Sequence, residues 1–162
     1  MIRAAVVTVS DRSFRKERSD ASGPAVAYLL VRLPALVDQQ VIIPDEKIII
    51  SRTLCHFSDV LDLDLVVTTG GTGVDPRDVT PEATWEVIDR EIPGMAEAMR
   101  ADSQKRVGTA MLSRAVVGVR RRTLIVNLPG IPEGARENLE VVLPVLPHAI
   151  EKIRGMGGEC AL

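Results

Sequence analysis

The chain has 162 residues, 46% of them hydrophobic and 26% charged, which suits one globular domain with a real core. A net charge of -2 gives no general attraction to nucleic acid or to anionic membranes, and 2% aromatics is too few for base-stacking platforms. Two cysteines and two histidines without a CxxC pair argue against structural zinc, and no apolar run reaches the length of a signal peptide or a membrane span. A cytoplasmic protein is expected.

Arg3 to Val9 predicts a first strand buried on both faces, because its small and β-branched residues do not alternate with polar ones. Ser10 and Asp11 follow at its carboxyl end, the place where open α/β sheets put ligands, and either bind one or cap a turn. Phe14 to Ser22 is polar and charged, a surface loop. Ser22-Gly23-Pro24 then opens a helix whose apolar positions are Val26, Leu29, Leu30 and Leu33.

Val41-Ile42-Ile43 predicts a second short strand, closed by Pro44-Asp45-Glu46. Lys47 to Leu61 follows as a helix with Ile50, Leu54, Phe57 and Leu61 on one face; Cys55 and His56 within it are ordinary packing or surface residues. Asp45 stands at a strand's end and a helix's start, where an acid serves as a cap or as a ligand.

Leu65-Val66-Val67 is a third buried strand, and it runs into Thr68-Thr69-Gly70-Gly71-Thr72-Gly73. Three glycines in four residues let the backbone turn sharply and approach a ligand, with several N–H groups aimed at one anion. The sequence has neither GxGxxG nor GxxxxGK[ST], so neither usual nucleotide fingerprint applies. Two acids and an arginine, Asp75, Arg77 and Asp78, precede a helix punctuated by Thr80 as N-cap, Pro81 and Glu82. That helix is expected to reach Glu91 with Trp85 and Ile88 facing the core.

Pro93-Gly94 interrupts it, and Met95 to Gln104 predicts another helix in which Met95 and Met99 fill the core. Ala115 to Arg120 and Thr123 to Asn127 form a hairpin around Arg120-Arg121-Arg122, a solvated tip. Asn127-Leu128-Pro129-Gly130 is a second glycine turn. Beyond Pro132, Leu139, Val142, Leu143, Leu146, Ile150 and Ile153 keep helical spacing, interrupted at Pro144 and Pro147 and ended at Gly155. One domain is expected over 1–156, with a frayed tail over 157–162.

The alternation predicts an α/β fold in three layers, a mostly parallel sheet with helices on both faces. Its strand-end loops carry Ser10, Asp11, Asp45, the 69–78 loop and Pro129-Gly130, and such loops converge on one edge. Backbone amides and Thr72 suit phosphate, and Asp45 with Asp78 suits Mg²⁺, which takes one or two carboxylates plus substrate phosphates. Chemistry of this kind needs positioning and charge neutralisation rather than a protein nucleophile.

The order TVSDRS (8–13), SGP (22–24), PDE (44–46), TTGGTG (68–73), RDVTPEAT (77–84), LSRAVVGV (112–119) and NLPG (127–130) resembles the MogA/MoaB group of molybdenum-cofactor biosynthesis proteins. That fold is shared with the G domains of plant Cnx proteins and gephyrin. The resemblance runs essentially end to end, and TGGTG followed by RDxTPE is its most specific part. It implies a molybdopterin-binding domain, commonly a homotrimer, that transfers AMP from Mg-ATP to the terminal phosphate of molybdopterin, with hand-over to a molybdenum-insertion protein. It implies catalytic and Mg²⁺-binding roles for Asp45 and Asp78. Ligand contacts are implied for Ser10, Asp11, Thr69, Gly70, Gly71, Thr72, Gly73, Ser113, Pro129 and Gly130. One departure is Glu133, near where relatives often carry a lysine. A non-catalytic molybdopterin-binding or scaffold protein of the MoaB type is the alternative that the same resemblance leaves open.

Overall fold

In the computed structural model, which describes residues 1–156, six strands form one sheet in the order β2-β1-β3-β6-β5-β4. The tail expected over 157–162 lies outside the described residues. Strands β1 (Ile2–Val9), β2 (Ala35–Ile43), β3 (Leu65–Thr69) and β6 (Thr123–Leu128) run parallel, while β5 (Val117–Arg120) pairs antiparallel with β6 and with the two-residue β4 (Arg90–Glu91). Central strands β1, β3 and β6 are buried almost throughout, as their unbroken apolar runs require.

Alternate residues of these strands feed two cores. Ala4, Val6, Leu65, Val67, Leu124 and Val126 meet α2 (Ser22–Leu30), α5 (Pro93–Gln104), α6 (Pro132–Val142) and α7 (Leu146–Ile153) on one face. Ala5, Val7, Val66 and Ile125 meet α3 (Lys47–Cys55) and α4 (Thr80–Val87) on the other. The expected three layers are present, with Met95 and Met99 in the first core.

Some of the expected elements hold and others need correction. The second strand is nine residues, Ala35–Ile43, rather than three; as the sheet's edge it is half exposed, so polar residues interrupt its pattern and conceal its length. The helix expected over Lys47 to Leu61 is present as α3 continued by a π-helical turn, His56–Val60, and Ser10 takes the capping role, at the start of a one-turn α1 (Asp11–Phe14) that takes in the first residue of the expected loop. Trp85 is 52% exposed, because α4 buries Thr80, Ala83, Thr84 and Val87, a face of small residues that brings the helix close to the sheet; the helix stops at Val87. Arg120 is no solvated tip: its guanidinium grips Asp59 at 2.9 and 2.5 Å and donates to the Val87 carbonyl at 2.7 Å.

The chain leaves β1 toward β2 on one side and then crosses back over β1 to β3 on the other. The reversal opens a crevice at the carboxyl ends of β1 and β3, the switch point where such sheets hold ligands. Ser10 and Gly70 are the first residues past those two ends.

Candidate active site

A polar recess of about 180 Å³ lies at this switch point. Ser10, Asp45, Thr69, Gly70, Gly71, Asp78 and Gly130 line it, together with Thr8, Ser22 and Arg18. It adjoins a groove of about 1030 Å³ lined in part by Gly71, Thr72, Gly73, Asp78, Ser113, Pro129 and Gly130. The groove is large enough for a ring system, and the recess is suited to smaller charged groups.

The glycine turn is held in place by a few specific bonds. Gly70 sits at φ 105° and Gly71 at φ 67°, and a Cβ on Gly70 would run into the Val9 carbonyl oxygen. Only glycine meets both demands. The Gly70 carbonyl accepts from the buried Thr80 hydroxyl at 2.9 Å, and the Thr80 amide donates to the Gly71 carbonyl at 3.1 Å. Thr80 is therefore no N-cap: α4 is capped by Val79 without a side-chain bond, since the Thr80 oxygen is taken up by the turn. The Thr69 hydroxyl donates to the Pro129 carbonyl at 2.7 Å, joining the two glycine turns.

Asp45 and Asp11 are locked reciprocally. The Asp11 amide donates to Asp45 Oδ2 at 2.7 Å, and the Asp45 amide donates to Asp11 Oδ1 at 3.0 Å. Asp11 lines neither cavity and stands behind Asp45, where Arg77 donates to both its oxygens at 3.1 and 3.2 Å and to Glu46 at 3.0 Å. Burial works against ionisation of Asp11, but the Asp45 amide and Arg77 outweigh it and hold its carboxyl below the usual range. Asp45 goes the other way. Burial pushes its carboxyl up, and the charges of Asp11 and Asp78 add to the push, outweighing both the Asp11 amide and the charge of Arg77. A site that crowds negative charge onto a half-buried carboxylate suits a cation.

Asp78 reaches the recess from the far side of the loop, with Oδ2 accepting the Asp75 amide at 3.0 Å. Arg114 braces this loop: its guanidinium donates to the carbonyls of Gly73 and Asp78, each at 2.7 Å, and pairs with Glu82. The Ser113 hydroxyl accepts the Ala115 amide at 3.4 Å, and its residue lines the groove. Asn127 is a fixed structural post rather than an open ligand. Its amide donates to Thr68 and Thr84, and its Oδ1 accepts the Val116 amide.

Sequence reading did not single out Arg18, Arg114 or Asp20. Arg114 stands inside the LSR motif, which was the available signal; Arg18 and Asp20 lie in an irregular loop with no period to mark them.

Among the described residues no helix is long and apolar enough to cross a membrane, and no group of three or more His, Cys, Asp or Glu side chains could hold a metal ion. Asp45 and Asp78 are the two carboxylates among the described residues that line the recess.

A family profile described as "Probable molybdopterin binding domain" matches residues 5–148. The molybdopterin adenylyltransferase of Helicobacter pylori strain J99 is 43% identical over 156 residues, 95% of this chain and 89% of that protein. The enzyme of the same name from Escherichia coli K12 is 45% identical over 144 residues, 87% of this chain and 73% of that protein. The crystal structure of the molybdopterin biosynthesis enzyme MoaB from Thermus thermophilus superposes with a TM-score of 0.91 at 51% identity, covering 96% of this chain and 98% of that one. With the family's motifs gathered around one recess, and the match spanning nearly the whole fold, the chain belongs to the molybdopterin-binding domain family of molybdenum-cofactor biosynthesis proteins.

Proposed function

We propose that the chain is a molybdopterin adenylyltransferase, moving AMP from Mg-ATP to the terminal phosphate of molybdopterin with release of pyrophosphate. The observation that carries this reading is the placement of Asp45, Asp78 and the Gly70-Gly71 turn in one recess that opens into a ring-sized groove. The similarity to proteins named molybdopterin adenylyltransferase supports it.

In the proposed reaction a phosphate oxygen of the pterin forms a bond to the α-phosphorus of ATP. The bond from that phosphorus to the β-bridging oxygen breaks, and pyrophosphate leaves with the electron pair. The nucleophile is already anionic, so the protein need supply no strong base; it supplies placement and charge compensation. Asp45 and Asp78 would hold Mg²⁺, which when bound offsets phosphate charge and helps orient the reacting groups. The amides of Gly71, Thr72 and Gly73 hold phosphate oxygens, the Gly70 amide being taken by the Leu128 carbonyl, and the Asp11–Arg77 pair keeps Asp45 aimed into the recess. A cytoplasmic homotrimer that hands its product to a molybdenum-insertion protein belongs to the same proposal.

The test is pyrophosphate release by the purified protein given molybdopterin and Mg-ATP, beside Asp78→Asn. Wild type is expected to release pyrophosphate, and the variant to lose roughly 10²- to 10³-fold in kcat while still binding molybdopterin. Equal loss of binding and turnover would remove Asp78 from the reaction. Saturable molybdopterin binding without release would make the chain a binding module.

A further inference from the structure

Phosphate-rich substrates bring several negative charges into a recess already lined by Asp45 and Asp78. The basic side chains around the two cavities are nearly all committed elsewhere. Arg77 is held by Asp11 and Glu46, and Arg114 by Glu82 and two carbonyls. Arg106 pairs with Asp102 and Glu137, and Arg100 donates to the carbonyls of Ser113 and Ala115. Arg18 differs from all of them. It lines both the recess and the groove and is the one cationic residue lining the recess among the described residues, and it has no hydrogen bond or ion pair with another described residue.

Its loop is nevertheless anchored. Asp20, two residues on, accepts the Thr8 hydroxyl at 2.7 Å and the Gly23 amide at 2.9 Å, tying the loop to β1 and to the start of α2. There is no room for a side chain at Gly23, where a Cβ would press on both Asp20 and the Thr8 hydroxyl. The exposed guanidinium is thus carried on a fixed base at the seam between the cavities.

We infer that Arg18 is a substrate-binding residue whose guanidinium contacts the phosphate groups of the two substrates where recess and groove meet. This rests on the adenylyl-transfer reading, which places both reacting phosphates at that seam. A guanidinium there makes charge-assisted, bidentate bonds to phosphate oxygens, which a lysine reproduces only in charge.

The experiment compares wild type with Arg18→Gln and Arg18→Lys, and has two arms. Steady-state pyrophosphate release is measured with molybdopterin and Mg-ATP, and equilibrium binding of Mg-ATP is measured separately by calorimetry. Arg18→Gln is expected to lose roughly 10- to 100-fold in kcat/KM and at least several-fold in ATP affinity, with Arg18→Lys between it and wild type. Thermal midpoints should stay together, because the side chain is exposed and makes no bond with another described residue. Unchanged kcat/KM and unchanged ATP binding in Arg18→Gln would overturn the inference, as would loss of both with a matching fall in thermal midpoint. If wild type releases no pyrophosphate, the function proposed above fails while the calorimetric arm still decides: weaker ATP binding by Arg18→Gln upholds the phosphate contact. Equal binding, or none by wild type, overturns it.

Discussion

The single atom that distinguishes alanine from glycine decides the geometry of the candidate site. At Gly70 a Cβ meets the Val9 carbonyl oxygen and the backbone sits at φ 105°. Gly70→Ala is therefore expected to cost about 2–4 kcal/mol, from left-handed strain plus displacement of strand β1. Gly94→Ala in α5 is the control: nothing lies within 4 Å of its Cβ, and alanine should be neutral or stabilise by up to about 1 kcal/mol. Urea denaturation of the pair checks this, and similar midpoints for both variants would refute the steric account. Residues of this kind were readable in advance, since three glycines between a buried strand and a polar loop have few other uses. Asp45 and Asp78 were readable for the same reason, as acids at strand and loop ends. Arg18 was not, because a charged residue in an aperiodic loop looks the same whether it faces bulk water or a seam between cavities.

At the scale of elements, the connection between the glycine turn and α4 shows how pattern and tertiary context compete. The sequence placed Thr80 at the helix start, and the fold uses its hydroxyl to hold the Gly70 carbonyl at 2.9 Å in a fully buried setting. Thr80→Val keeps the shape and removes the donor, leaving a buried carbonyl unpaired at a cost of about 1–3 kcal/mol. Because that carbonyl belongs to the turn, the variant should also raise KM for ATP. A stability loss with no change in KM would mean the turn keeps its form without Thr80. The same helix explains the misplacement of Trp85. Hydrophobicity nominates the largest apolar residue for the core, but the spacing of Thr80, Ala83, Thr84 and Val87 selects a thin face that leaves no room for an indole. Strand β2 was underestimated for the complementary reason: an edge strand exposes enough polar side chains to hide its period.

Across the whole molecule, the alternation of strands and helices was enough to predict the layers but not the sheet order, since nothing local says on which side of β1 a strand will settle. The order β2-β1-β3-β6-β5-β4 is what places the crevice between Ser10 and Gly70. It also sets the antiparallel β5–β6 hairpin beside the α3 layer, and there the Arg120–Asp59 pair ties the two together. The hydrogen bonds from Arg120, then its charge, hold the Asp59 carboxyl below its ordinary range even though burial opposes this. The sign follows. An unfolded-state carboxyl of pKa about 3.9 binds a proton before the folded one does, so acid favours unfolding. The pair's contribution is full above that value and fades as pH falls through the folded-state value. Asp59→Asn should be less stable than wild type near neutrality by about 1 kcal/mol, given a partly exposed bidentate pair. The gap should narrow as the pH is lowered below about 4. Urea midpoints of both proteins across that range make the measurement, and a gap independent of pH would show that Asp59 acts through shape rather than charge.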